Sequence, residues 1–518
     1  MGLYLGLDSS TQSLSALCLD AERGRVEYET SVNFGDDLPE YESPNGFLEN
    51  DDPLVRHANP LMWLAALDLL LEKMSKDGFD LSSIDMVSGS GQQHGSVYLN
   101  SGFLKPESWS GGSLKEIFAP LLSRNTSPIW MDSSTSAECA EIAEKIGGGD
   151  AVLEKTGSIM VERFTGPQIR KFFKGDEDAY GRTAAIHLVS SFMASALAWR
   201  SVPIDLADGA GMNLLNLRAA EWDDDMLAAT APGLRGKLPP TASSDTATGT
   251  IGQYFVEKHG FKPECRTMVW SGDNPNSLVG MGASDSGTAV ISLGTSDTFM
   301  AAFESPASDP NGFGHAFFNP DKGYMCLICF KNGSLAREKV RDEFSLDWNG
   351  FERLLATEKG DDGETNLLIP FHLPEITPKT SAPFVRRVGA PDFESGENPE
   401  KTVRAIVDTQ TLNMKIHSAW IGALDKIKIT GGASRSDAIC QTVADVFQTS
   451  VERFAVPNSA ALGAALRAAN ADLGTPLSEL HRRTAASEQN TIFAPDAGTV
   501  PRYERMEGKL RDILDTLK

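Results

Sequence analysis

The chain has 518 residues, 41% hydrophobic and 23% charged, ordinary proportions for a globular protein with a large buried core. Lys and Arg number 47 against 71 Asp and Glu, and the net charge of −24 argues against nucleic acid or anionic membrane as a partner. Six cysteines are too few for a disulfide scaffold, and no run approaches the ~20 apolar residues of a membrane span. The first basic residue is Arg23, so no secretory leader is expected, and the expectation is a cytoplasmic, reduced protein.

Two apolar runs, Leu3 to Leu7 and Leu14 to Leu19, flank the polar stretch Asp8-Ser9-Ser10-Thr11-Gln12-Ser13. This predicts strand, tight turn, strand. Pro60 to Met74, rich in Leu and Ala, predicts a helix, and Leu188 to Trp199, apolar on most sides, a buried one. Short strands are predicted at Met86 to Ser88, Val97 to Leu99 and Met268 to Trp270. Ser101 to Pro128, rich in Ser, Gly and Pro, reads as a surface excursion. The small polar segment Ala283 to Gly287 marks a boundary between domains 1–282 and 283–518.

Just after it, Ala289 to Leu293, Gly294-Thr295-Ser296-Asp297-Thr298 and Phe299 to Phe303 repeat the opening hairpin pattern. Two such hairpins point to two structurally related halves. Cys326 and Cys329 form one CxxC within the apolar run Met325 to Phe330. With no second pair and no nearby His, they read as reduced thiols rather than a zinc site. Lys379 to Glu400 is a second surface excursion. Beyond it come a helix (Val403 to Trp420), a strand (Lys426 to Thr430), a turn (Gly431 to Ser434) and a helix (Asp437 to Phe447) with Ile439, Val443, Val446 and Phe447 on one face. A strand at Val451 to Val456 and a small-residue helix at Ala460 to Ala469 complete an α/β chain with mixed sheets.

No Walker-type phosphate loop is present, and Gly89-Ser90-Gly91 continues as Gln92-Gln93-His94-Gly95, the wrong spacing for a dinucleotide fingerprint. The hairpin tips are more promising. Consecutive backbone N–H groups with added hydroxyls form a concavity that binds phosphate oxygens without lysines. Asp8 at the first tip can hold Mg²⁺ or its waters. Each tip also reads as an ordinary hairpin turn.

In Trp270-Ser271-Gly272-Asp273-Asn274-Pro275 a strand ends in a glycine turn, which places Asp273 and Asn274 at a loop entrance. Asp273 there can take a hydroxyl proton as general base, and Asn274 can orient a polyol. The same pattern serves an Asx turn before Pro275. Gln92, Gln93 and His94 suit polar small-molecule recognition, although a lone His94 also reads as structural, and Arg163 alone reads as a surface charge. Gly431 and Gly432 let a nucleotide base or ribose approach the backbone, or simply turn the chain from strand to helix. Phosphate cradles, an acidic metal site, one positioned base and a polyol pocket together describe a sugar kinase, in which the protein mainly positions groups and stabilises charge.

From about residue 3 to about 470 the chain resembles the FGGY carbohydrate kinases. The resemblance is carried by GLDSSTQS at 6–13, SGSGQQHGSVY at 88–98, PIWMDSSTSAEC at 128–139 and ERFTGPQI at 162–169. SGDNPNSLVGM at 271–281, ISLGTSDT at 291–298, CFKNGSLAREK at 329–339 and TGGASRSD at 430–437 continue it. It implies a two-domain, actin-like (ribonuclease-H-like) fold with an interdomain cleft, sugar on the N-terminal domain and ATP on the C-terminal one. The combination of GQQHG and GDNP resembles the branch that phosphorylates D-xylulose to D-xylulose 5-phosphate.

By this resemblance Asp273 is the general base, and His94, Arg163, Asp273 and Asn274 bind sugar. Asp8, Ser10 and Thr11 form the first phosphate motif, with Asp8 near Mg²⁺. Gly294, Thr295 and Ser296 form the second, and Trp348, Gly432 and Ala433 hold the nucleoside. Two positions depart from the family pattern: Asn276 replaces the usual Ala at the pocket edge, and Ser436 stands where relatives often carry a nucleotide-contacting Asn. The alternatives are a kinase for another pentulose, hexulose or polyol, or a non-catalytic nucleotide-binding module, against which the intact GDN turn argues. Both a monomer and a homodimer are compatible with the sequence.

Overall fold

Leu5 and Leu7 point to one side of the opening strand and Tyr4 and Gly6 to the other, and all four are buried because both sides of the sheet are covered. The computed structural model describes residues 2–357, 363–454, 457–484 and 491–517. They form two compact units. The first comprises Met1–Ser284, Ala316–Tyr324 and Val456–Ser487, and the second Asp285–His315, Met325–Ala455 and Glu488–Lys518.

In the first unit, strand Leu3–Ser9 pairs antiparallel with Ser13–Asp20 on one side and parallel with Ile84–Gly91 on the other. Arg25–Asn33 extends the antiparallel side. Arg266–Met268 and Ser271–Gly272 continue the parallel side, and Ala247–Thr250 closes that edge. Leu5, Leu7 and Leu14 pack with Trp63 and Leu67 of helix Pro60–Lys76 and with Phe192 of helix Val189–Ala198, whose ten residues are all buried. Tyr4, Leu17 and Met86 pack instead on the small-residue helix Ser459–Leu473. The approach is close: a Cβ on Gly6 would lie 1.9 Å from the Ala461 carbonyl oxygen, and one on Gly463 1.9 Å from that of Asn276. Alanine and glycine occupy this face of the helix because nothing larger fits.

The second unit repeats the plan. Thr288–Leu293 pairs antiparallel with Asp297–Phe303 and parallel with Lys426–Thr430, followed by Val451–Arg453 in parallel and Thr491–Phe493 antiparallel. Strand Tyr324–Phe330, all but its first residue in this unit, lies beyond Asp297–Phe303. Helices Pro399–Ser418, Asp437–Phe447 and Val500–Asp515 contribute to the packing of this unit. The two hairpins therefore open two sheets of the same pairing pattern, as two related halves require.

Several expectations need correction. Ser101–Pro128 is no surface excursion: Phe103, Trp109, Leu114 and Phe118 are buried in the first core, with Phe103 and Trp109 stacked at 5.3 Å. Lys379–Glu400 does lie at the surface, with Phe393 its one buried side chain, but it is ordered into strand Phe384–Val388, paired with Leu367–Phe371, and the short helix Pro391–Glu394. Asp273 and Asn274 begin a helix, Asp273–Gly280, rather than a loop. The last predicted strand ends at Arg453, and residues 455–456 lie outside the described residues. All six cysteines are free. No helix among the described residues is long and apolar enough to cross a membrane.

Candidate active site

Ser271 and Gly272 pair with Ser90 and Gly91, so helix Asp273–Gly280 starts at the carboxyl ends of parallel strands, the usual place for a ligand in such sheets. Asp273 Oδ1 accepts from Asn274 N at 2.8 Å, Asn274 Nδ2 at 3.1 Å and Gln93 N at 3.3 Å. Asn274 Nδ2 also donates to Gln93 Oε1 at 2.9 Å. The preceding residue must be glycine: a Cβ on Gly272 would stand 2.5 Å from Gln93 Cγ and 2.8 Å from Asp208 Oδ1. Burial, then the charge of Asp8, pushes the Asp273 carboxyl up to about 7 against the pull of its N–H donors. A carboxyl balanced near neutrality is suited to take a proton from a hydroxyl.

Asp8 lies on the strand itself, opposite Ser15, and the turn is only Ser10 to Gln12. Ser10 Oγ donates to its carboxylate at 2.5 Å, and Ser90 Oγ donates to the other oxygen. Burial raises its pKa, and no cationic side chain pairs with it among the described residues. Such a carboxylate fits a divalent cation. No group of three or more His, Cys, Asp or Glu among the described residues could hold one, so the remaining ligands would be substrate oxygens and water. Thr11 Oγ1 accepts from Trp130 Nε1 at 2.8 Å, and both line an open recess of about 610 Å³.

His94 has a left-handed backbone (φ 69°), a strained state that concentrates at functional sites. Its ring stacks on Phe164 at 4.3 Å, and Nδ1 lies 2.8 Å from the Gly211 carbonyl. A carbonyl can only accept, so Nδ1 carries the proton. Arg163, next to Phe164, is half-buried, and its guanidinium makes no hydrogen bond or ion pair among the described residues. Asp273, Asn274, His94 and Arg163 are thus joined through Gln93 and Phe164.

In the second unit, Thr295 and Ser296 stand at the hairpin tip. The base of the tip is fixed by a buried pair. Arg337 Nη1 and Nη2 donate to Asp297 at 2.9 and 3.0 Å, and Nη1 also donates to Gln410 Oε1 at 2.8 Å. Ser334 N donates to Gly294 O at 2.9 Å. Gly431 (φ 91°) packs on Leu293, where a Cβ would come within 2.4 Å of its carbonyl oxygen, so the Gly431–Ala433 loop adjoins the tip. A Cβ on Gly432 would meet nothing within 4 Å, leaving that face open. Trp348 is 48% exposed, with Arg341 over its ring at 4.7 Å.

Ser436 caps helix Asp437–Phe447 by accepting from Ile439 N at 3.1 Å, and its hydroxyl donates to Glu352. Asn276 is fully buried, donating to Gly89 O at 3.1 Å and accepting from Arg467 Nη1 at 2.9 Å, so it does not form a pocket edge. Ser90, Asp208 and the Asp297–Arg337 pair are site residues that sequence reasoning does not single out. Ser90, Asp297 and Arg337 lie inside motifs that it does; Asp208 carries no sequence signal.

Residues 124–280 match the N-terminal domain, and residues 289–471 the C-terminal domain, of the FGGY family of carbohydrate kinases. A xylulose kinase of Rattus norvegicus is 40% identical over 531 residues, covering 98% of this chain and 96% of its own. Xylulose kinase 2 of Arabidopsis thaliana is 38% identical over 546 residues, covering 99% and 97%. The crystal structure of a xylulose kinase from Rhodospirillum rubrum has the same fold, with a TM-score of 0.80 over 99% of each chain at 18% identity. With the fold of two like sheets, each opening in a hydroxyl-rich hairpin, these matches give the class, a carbohydrate kinase. The chain belongs to the FGGY family of carbohydrate kinases.

Proposed function

We propose that the protein transfers the γ-phosphoryl group of ATP to the terminal hydroxyl of D-xylulose, giving D-xylulose 5-phosphate and ADP. The observation that carries the chemistry is Asp273, held by three N–H donors at a helix start with its pKa pushed up to about 7. The choice of sugar is supported by the xylulose kinases to which the chain is 38% and 40% identical over nearly its full length.

In this reading the domain of residues 1–282 takes the sugar and that of residues 283–518 the nucleotide. Ionised Asp273 accepts the proton as the hydroxyl oxygen attacks the γ-phosphorus. Asn274 and His94 orient the sugar hydroxyls, and Arg163, unengaged among the described residues, supplies a further donor. Thr11, Gly294, Thr295 and Ser296 donate to phosphate oxygens, and Ser10, whose hydroxyl and N–H already donate to Asp8 and to Ser13 O, fixes the Asp8 carboxylate in the first phosphate motif, while Trp348, Gly432, Ala433 and Ser436 border the nucleoside. Asp8 would hold Mg²⁺ through its carboxylate, and the cation would supply neutralisation of phosphate charge when bound. With a net charge of −24, binding of ATP depends on these local donors and the cation.

The test is ADP release from Mg·ATP with D-xylulose, D-ribulose, L-ribulose, L-xylulose, D-fructose or glycerol. A rate increase confined to D-xylulose is expected, and Asp273→Ala abolishes it while ATP binding survives. Stimulation by a different sugar reassigns the substrate. Turnover independent of every sugar would return the protein to a nucleotide-binding module.

A further inference from the structure

Arg467 is one of the largest fully buried side chains of the first unit, 2% exposed, on helix Ser459–Leu473. Its contacts lead to two parts of the candidate site. Nη1 donates to Asn276 Oδ1 at 2.9 Å. Asn276 follows Asp273 by three residues on the same short helix, and its amide also donates to Gly89 O at 3.1 Å, on the strand that runs into Gln92, Gln93 and His94. Residues i and i+3 share a helix face, so fixing Asn276 fixes the direction in which Asp273 leaves the sheet.

Nη2 donates to the carbonyls of Ser244 at 2.5 Å and Val269 at 3.1 Å. Ser244 in turn donates its hydroxyl to Asp205 at 2.5 Å. Asp205 caps the turn Leu206–Gly209, accepting from Asp208 N at 3.4 Å. Two residues past that turn, Gly211 O takes the His94 ring N–H at 2.8 Å. Val269 lies just before Trp270 to Gly272, the segment that delivers Asp273.

We infer that Arg467 is a positioning residue for phosphoryl transfer: through Asn276 it orients the helix bearing Asp273, and through Ser244 and Asp205 it holds the turn that anchors His94. The inference rests on Asp273 being the base. It also assigns Asn276, which departs from the family pattern, to catalytic geometry rather than to sugar choice. Burial lowers the pKa of Arg467, opposed by Asp205, Asp245 and Asp208, and a guanidinium starts so high that it stays charged.

The test compares Asn276→Ala, Arg467→Met, the double variant and Arg467→Lys for kcat, KM for ATP, KM for D-xylulose, and Tm. Each of the first two lowers kcat on the order of tenfold to a hundredfold, because small misplacements of reacting groups cost that much. KM for ATP stays within about twofold, since nucleotide contacts are untouched. The double variant is no slower than Arg467→Met alone, as members of one chain of contacts do not act independently. Arg467→Lys, which keeps the charge and one donor, recovers kcat to within about tenfold of the natural protein.

Losses that multiply in the double variant, a fall in Tm with unchanged kcat, or an altered order of preferred sugars in Asn276→Ala would each overturn the inference. If Arg467→Met does not fold, Asn276→Asp decides. It keeps an acceptor for Arg467 and is expected to exceed Asn276→Ala in kcat, and equal losses would refute the link. Asp273→Ala is assayed alongside: residual transfer there defeats the base assignment itself, whatever the Arg467 variants do.

Discussion

Asp273→Asn should abolish phosphorylation and at the same time stabilise the protein, by an amount that depends on pH. The Asp273 carboxyl is raised from 3.8 to about 7 in the fold. An acid whose folded pKa lies above its unfolded value opposes folding when ionised. The penalty is absent below pH ~4, grows as pH rises towards 7 and is constant above it. A rise of that size corresponds to roughly 4 kcal/mol, which access of water to the half-buried carboxylate reduces to about 2 kcal/mol. Asparagine keeps the size and removes the charge. Thermal unfolding in EDTA should therefore show the Asp273→Asn variant melting roughly 2–4 °C higher than the natural protein at pH 8. The gain at pH 5 should be less than about half of that. A gain independent of pH, or none, would refute the buried-carboxylate reasoning. In the natural enzyme, kcat/KM should fall about tenfold per pH unit below pH ~7, as the base is protonated.

Arg163→Ala should raise KM for D-xylulose by about tenfold or more, the loss of one charge-assisted contact, with Tm unchanged because the guanidinium has no partner among the described residues. An unaltered KM would remove Arg163 from the site. Gly272→Ala places a Cβ 2.5 Å from Gln93 Cγ, and kcat should drop by about a hundredfold in a protein with a native circular dichroism spectrum. Asp297→Asn strands the Arg337 cation, buried beneath the second hairpin, and urea unfolding should report a loss of about 3–5 kcal/mol. Ser436→Ala should cost about 1 kcal/mol through the lost helix cap, and Ser436→Asn should cost little, because Asn caps as well.

Where apolar residues repeat with a clear local period, sequence and structure agree closely. The strand Lys426–Thr430 and the helix Asp437–Phe447 have the bounds read from their periodicity. The two hairpin tips stand out because Gly, Ser, Thr and Asp cluster directly after apolar strands. Ser101–Pro128 misleads for the opposite reason. Its composition is that of a loop, and nothing local announces that Phe103, Trp109 and Phe118 meet residues of the distant helix Val189–Ala198 in one core. The surroundings of Asp273 are hidden in the same way. Gln93 reaches Asn274 across 181 positions, and Arg467 reaches Ser244 across 223. Pairings of that span are decided by how the sheet closes, and a reading of neighbouring residues does not contain them.

The helix Ser459–Leu473 belongs to the first unit yet is encoded after most of the second. During synthesis the first sheet therefore waits for its last layer. Residues 285–455 take roughly ten to thirty seconds to translate, and through that interval Tyr4, Leu17, Leu19, Met86 and Met268 lack the alanine-rich surface that covers them. The unit cannot be completed by residues 1–284 alone, and the nascent chain must be kept from aggregating through an exposed apolar sheet face. The same delay reaches the candidate site: the helix Asp273–Gly280 acquires its packing partner only after residues 285–455 have been made.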